Sequence, residues 1–226
     1  MEARFRRAAA ALAGLGLIGG GGARADERAG DRADLPARLA DRDTADGRIE
    51  GDLGVVVGAG ARFSERAPQG ALEARLRYLE TAGLFVTYED GFGAAAAVPA
   101  RVMATGLEVR PMFLGRWVTG TELGLRWADL TIDSLGLEVA AVFEQPPLGS
   151  FGSRTGLQVG LGLELPVLGR TNGPWIDVHG GVRWSDDVMR GGPIGGPSDR
   201  QVFLQVTVAL HWLFATHTVD LNDEAP

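Results

Sequence analysis

Three histidines, His179, His211 and His217, are the side chains of this chain whose charge changes near neutral pH. His179 stands two positions after Asp177, so in an extended segment both side chains leave one face and the carboxylate can orient the ring. Nucleophilic catalysis would also need a serine or cysteine beside that pair. The chain has 0 cysteines, and no serine is placed beside His179. His211 is followed by Trp212, and the three histidines fall on separate segments without metal-ligand spacing. Two glycine patterns also invite a dinucleotide reading. Gly14, Gly16 and Gly19 match G-x-G-x-x-G, but no strand precedes them. The run Val55–Gly60 has Glu80 where a ribose-binding acid would stand; however, Phe63 takes the third glycine position, and the following helix would have to hold Pro68 and Gly70. The sequence therefore predicts no enzyme, no cofactor and no metal site.

The remaining chemistry is charge. Glu73, Arg75, Arg77, Glu108, Arg110, Glu122, Arg126, Glu138, Glu164, Asp177, His179 and Arg183 sit at alternate positions between apolar residues. Successive strand side chains point to opposite faces, so this spacing gives each strand one apolar face and one charged face. The signs are nearly balanced, and the pattern predicts a salt-bridged network facing inward.

The last strand shows the pattern best. In Arg200–Phe214, residues Val202, Leu204, Val206, Val208, Leu210, Trp212 and Phe214 share one parity. A helix would spread them around its circumference. Similar strands are expected near 52–63, 71–88, 102–114, 119–128, 134–143, 155–168 and 175–184, eight in all. Glu80 falls on the apolar side of the second, a blemish that a bulge or hairpin around Thr81–Gly83 would cure. The loops 144–154 and 186–199 are long and rich in glycine and proline, whereas Gly169–Gly173 is short. With both ends of the barrel on the periplasmic side, the long loops fall outside the cell; the stretch 90–100 would then be a periplasmic connection. Aromatic rings at Phe63, Phe113, Phe143 and Trp184, and at Tyr88, Trp127, Trp212 and Phe214, are expected to ring the two rims. Tyr78 and Tyr88 on one strand would stand ~23 Å apart along the normal, at ~3.3 Å per residue and ~45° tilt.

Residues 1–25 have the three parts of a secretory signal: Arg4, Arg6 and Arg7, then an uncharged stretch, then Ala23-Arg24-Ala25. Cleavage removes four arginines and one glutamate, taking the formal charge from −7 to about −10, which argues against nucleic-acid partners. Residues 26–51 are charged, lack apolar periodicity and predict a polar linker; 215–226 is a polar tail.

With these strands, from about Asp52 to Phe214, the chain resembles the small eight-stranded outer-membrane β-barrel proteins of Gram-negative bacteria. The resemblance implies an all-β, antiparallel, up-and-down transmembrane barrel in the outer membrane. It implies lipid and the barrel-assembly machinery as partners, the latter through the alternating strand that ends in Trp212-Leu213-Phe214; such signals usually end the chain, and here 215–226 follows. It also offers loops 144–154 and 186–199 as the surface for an extracellular ligand. Eight strands enclose an interior about wide enough for side chains, so a charge-plugged, structural or binding barrel is expected. The alternatives are a narrow pore for small solutes and a soluble lipocalin-like barrel, the latter with its apolar residues inside.

Overall fold

A computed structural model describes residues 51–65, 67–93, 99–146, 149–192 and 199–216. The expected signal peptide and nearly all of the linker and tail lie outside the described residues, as do Gly14, Gly16, Gly19 and His217. The described strands are β1 (Leu53–Ser64), β2 (Gln69–Tyr78), β3 (Ala82–Asp90), β4 (Arg101–Val109), β5 (Gly136–Gln145), β6 (Arg154–Pro166), β7 (Gly173–Ser185) and β8 (Arg200–Phe214). Each pairs antiparallel with the next, and β1 pairs with β8, so the sheet closes into a barrel.

The two-residue period decides what faces inward. On β2, Gln69, Ala71, Glu73, Arg75 and Arg77 are buried in the lumen, while Leu72, Leu76 and Tyr78 are exposed outside. β8 does the same: Gln201, Phe203, Gln205, Thr207, Ala209 and His211 are buried, and Val208 on the outer face is 63% exposed. The interior is thus mostly polar, with one apolar patch of Phe85, Val102, Ala104, Ala140 and Val142 on β3–β5. The outer face is apolar.

The eight-strand count holds, but three of the expected strands change, in two places. The expected strand 71–88 is a hairpin, β2–β3, turning at Leu79 and Glu80. Both have positive φ, 48° and 54°, as the central residues of a type I′ turn require. Glycine or asparagine usually signals such a turn, and neither is present. Glu80 is therefore not on the apolar face: it is buried at the lumen mouth, where Arg110 Nη1 donates to it at 2.8 Å. The hairpin also shifts the direction of β3 and β4. β3 ends and β4 begins at the barrel end where β5 ends and β6 begins, not at the end where β1 begins and β8 ends. Tyr78 and Tyr88 sit on neighbouring strands; Tyr88 pairs with Leu72, six residues from Tyr78, so ~14 Å separates them along the normal.

The second change lies at 110–135. The expected continuation of a strand to Leu114 is a helix, α1 (Pro111–Thr119), and the expected strand 119–128 is the turn that links it to a second helix, α2 (Arg126–Asp133). Pro111 fits the first helical turn, where its missing N–H costs nothing. Gly120, at φ 60°, ends α1 in the left-handed region, and its N–H donates to Trp117 O at 3.3 Å. Phe113 is buried, so it is not a rim ring. Arg116 laces the two helices together through Asp129 and, at 2.8 Å, Asp133. Burial works to raise the Asp129 carboxyl, but the Leu123 N–H at 2.9 Å and the Arg116 guanidinium hold it below its ordinary range. Trp127 Nε1 donates to Pro166 O at 3.0 Å, and Ser134 Oγ both donates to and accepts from the Glu164 backbone at 2.9 Å. These bonds carry the β5–β6 ladder past its last strand pair. A short helix α3 (Asp186–Met189) follows β7.

Barrel closure needs places where neighbouring backbones come close. A Cβ on Gly106 of β4 would lie 2.6 Å from Ala140 Cα, and one on Gly60 of β1 would lie 2.6 Å from Thr207 Cα. Overpacking of this kind typically costs ~1–3 kcal/mol. Gly106→Ala should therefore lower the urea midpoint of the folded barrel, whereas alanine at exposed Gly115, which has nothing within 4 Å, should not. Equal midpoints for the two variants would mean that β4 and β5 separate without loss.

Candidate functional site

Among the described residues, five arginines and eight carboxylates are packed inside the barrel, and strand register sorts them into tiers. In the upper tier, at the end of the long loops, Arg62 on β1 and Arg183 on β7 share Glu89 of β3. Arg183 Nη2 also donates to Gln158 Oε1 at 2.8 Å, and the Arg62 guanidinium lies 3.5 Å from the centre of the Phe203 ring. Aromatic faces attract such cations, most strongly when water is excluded. Glu144 of β5 completes this tier, with both carboxylate oxygens buried and without hydrogen-bond partners.

The middle tier is built on Arg75. Its Nη1 donates to Glu108 Oε2 at 2.7 Å and to Glu138 Oε1 at 2.6 Å, and its Nη2 to Glu73 Oε2 at 3.0 Å. Glu108 and Glu138 are directly opposite each other on β4 and β5, an unfavourable pairing of like charges that the guanidinium bridges. His179 Nδ1 lies 2.9 Å from Glu138 Oε1, and its Nε2 lies 3.4 Å from Glu73 Oε2. The Glu73 carboxylate also accepts from the Thr207 hydroxyl.

The lower tier, at the end where β1 begins and β8 ends, holds Arg77 and Arg110. Arg110 donates to Glu80 and Glu108 at 2.8 Å and to Glu164 at 2.5 Å. Arg77 pairs with Glu164, and its Nε lies 3.3 Å from Glu108 Oε1, in charge contact but without hydrogen-bond geometry. Beyond Glu164, directly opposite on β7, is a second acid, Asp177. Asp177 Oδ2 lies 3.2 Å from His211 Nε2, and Oδ1 has no partner. The His211 ring stacks on Trp175, 4.6 Å between centres and 5° between planes. A small cleft at this end is lined by the His211 ring with Glu80, Arg110 and Trp175.

Ten of the twelve charged positions expected inside are there: Glu73, Arg75, Arg77, Glu108, Arg110, Glu138, Glu164, Asp177, His179 and Arg183. Glu122 and Arg126 are not. Both are exposed, because left-handed Gly120 and Gly124 break the extended run and the segment turns helical outside the lumen. The expected Asp177–His179 pair also changes partners: Asp177 engages His211, and His179 engages the glutamates. The list lacked Arg62, Glu80, Glu89, Glu144 and His211. Parity carried the signal for four of these, since Glu89 follows inward Thr87, Glu144 follows inward Val142, and Arg62 and His211 fall between outward residues of β1 and β8. Glu80 needed the turn.

Comparison with protein-family models, with curated proteins and with solved structures finds no match to this chain.

Proposed function

We propose that this chain is an integral outer-membrane β-barrel, plugged by its own charges and acting without catalysis, as a structural element or as a binder through its outer loops. The observation that carries this reading is the barrel's inversion: guanidiniums and carboxylates fill the interior, while Val57, Leu72, Leu84, Leu107, Leu137, Leu161 and Val208 form an exposed apolar band. A water-soluble barrel of lipocalin type would carry the opposite arrangement. Aromatic rings border the band: Phe63, Tyr88, Phe143 and Trp184 at the loop end, and Tyr78, Trp212 and Phe214 at the other, suited to two membrane interfaces. On this reading 1–25 is the cleaved export signal, and β8 is the strand presented to the barrel-assembly machinery. Loops 144–154 and 186–199 carry any extracellular ligand; residues 147–148 and 193–198 of them lie outside the described residues.

A narrow pore is the weaker alternative, because the arginine side chains of all three tiers are at most 2% exposed and held by carboxylates. Fractionation of expressing cells tests the main reading, together with gel mobility before and after boiling. The expected result is an outer-membrane protein, with a mature chain starting at Asp26, whose mobility changes on boiling. A soluble periplasmic product with one mobility overturns it.

A further inference from the structure

We propose that Asp177, His211 and Glu164 bind a divalent transition-metal ion of the zinc type inside the lower end of the barrel. Their ligand atoms lie within 4.8 Å of one another and all three residues are buried. One imidazole with two carboxylates is a donor set that Zn²⁺ accepts, at ~2.0–2.2 Å from each atom, with water in the remaining position.

Three observations independent of that clustering point to a cation. The first is Asp177 itself, fully buried, with Oδ1 left without a partner. An unmade bond of this kind is costly, and native interiors rarely keep one. The second is register. Glu164 and Asp177 are directly opposed across β6 and β7. The comparable pair Glu108 and Glu138 is bridged by Arg75, but no arginine reaches Asp177. Arg77 and Arg110 bond both oxygens of Glu164 and leave Asp177 to His211 alone. The third is charge balance by tier. In the upper tier, Glu89 and Glu144 are matched by Arg62 and Arg183. Over the described lumen eight carboxylates exceed five arginines, and in the lower tier Glu80, Glu164 and Asp177 outnumber Arg77 and Arg110.

The supporting parts of a metal site are also present. Stacking on Trp175 fixes the plane of the His211 ring, and Trp175 Nε1 is itself held by Thr171 O at 3.0 Å. The His211 ring also lines a small cleft at the lower mouth, together with Glu80, Arg110 and Trp175. The neighbouring set of Glu73, Asp177 and His179 is less suited, because Arg75 Nη2 stands 3.1–3.2 Å from both nitrogens of His179 and covers the imidazole itself, whereas the lower-tier arginines bond Glu164 and leave the His211 ring to Asp177.

The test uses the full chain, folded in detergent micelles, without a histidine tag and freed of metal by a chelator. Zinc chloride is the probe, and equilibrium dialysis with metal analysis is the readout. The expected result is one zinc per chain, bound at least ~10-fold more weakly after Asp177→Asn or His211→Gln and unchanged after His217→Ala. Asp177→Asn relieves a like-charge pairing, so its barrel should fold, and gel mobility before and after boiling confirms it. Zinc should also raise the thermal midpoint of the unaltered protein but not that of Asp177→Asn. If the folded protein holds no zinc, or Asp177→Asn and His211→Gln hold it as tightly as the unaltered chain, the proposal fails and the Asp177–His211 pair holds a proton instead.

Discussion

Arg75→Ala should destabilise the barrel by ~3–5 kcal/mol, whereas Arg190→Ala should leave it nearly unchanged. Arg75 is the shared partner of Glu73, Glu108 and Glu138, and its side chain is 1% exposed. Its loss leaves Glu108 and Glu138 opposed on adjacent strands without the cation between them. Arg190 is 79% exposed and lies 3.7 Å from Asp186. The cost comes from stranded carboxylates more than from any intrinsic gain of the ion pairs, since desolvation offsets much of that gain. Arg75→Ala should therefore cost less when Glu73→Gln and Glu138→Gln are already present, a coupling that a mutant cycle measures. Reversible urea unfolding in detergent or lipid is the assay. Equal, small losses at Arg75 and Arg190 would indicate a lumen filled with bulk water, and would favour the pore.

Val208→Arg should impair folding into lipid vesicles by ~2–4 kcal/mol if position 208 lies near the bilayer midplane. Val208 stands near the middle of β8 on the outer face, paired with Ala59 and Ile176. In a barrel surrounded by water, the same change on a side chain 63% exposed would move stability by less than ~0.5 kcal/mol. The substitution thus separates the membrane reading from the soluble one. An environment-sensitive dye adds a second measurement: a lipid-borne quencher should reach it at 208 and miss it at 207, where Thr207 is 1% exposed and bonded to Glu73. A dye at 208 untouched by the quencher in lipid would remove the support for membrane placement.

Alternation made β5 through β8 legible, and β8 runs from Arg200 to Phe214 as expected. It failed where the period-2 pattern was carried by residues that do not share a ladder. In Pro111–Asp133, Pro111 and Phe113, then Leu123, Leu125 and Trp127, gave an apolar series, but Phe113 is buried on α1 and the other three belong to the turn and helix that follow it. Pro111, Gly115, Gly120 and Gly124 were the local signs against a strand. The turn at Leu79–Glu80 carries no glycine or asparagine and showed only as the misplaced charge of Glu80, because Arg110 and the Asp52 carbonyl hold it from distant parts of the chain. The network was legible as a parity and not as a set of partners. Which arginine meets which acid depends on register, and register fixes that Asp177 faces Glu164 and nears His211.

The seam between β1 and β8 has a kinetic consequence. Leu53 pairs with Phe214, so the first strand of the barrel waits for the last residues of the last one. Bringing those ends together across the intervening chain costs ~4–5 kcal/mol in loop entropy, against ~1 kcal/mol for a three-residue hairpin loop. Until then β1 and the newest strand are two open edges able to pair with another chain. Hairpins such as β2–β3 can form early and locally, but closure is a late event of high contact order. Loss of residues 210–214 would leave the lower part of β1, Leu53–Val57, without its β8 partner and keep that edge open.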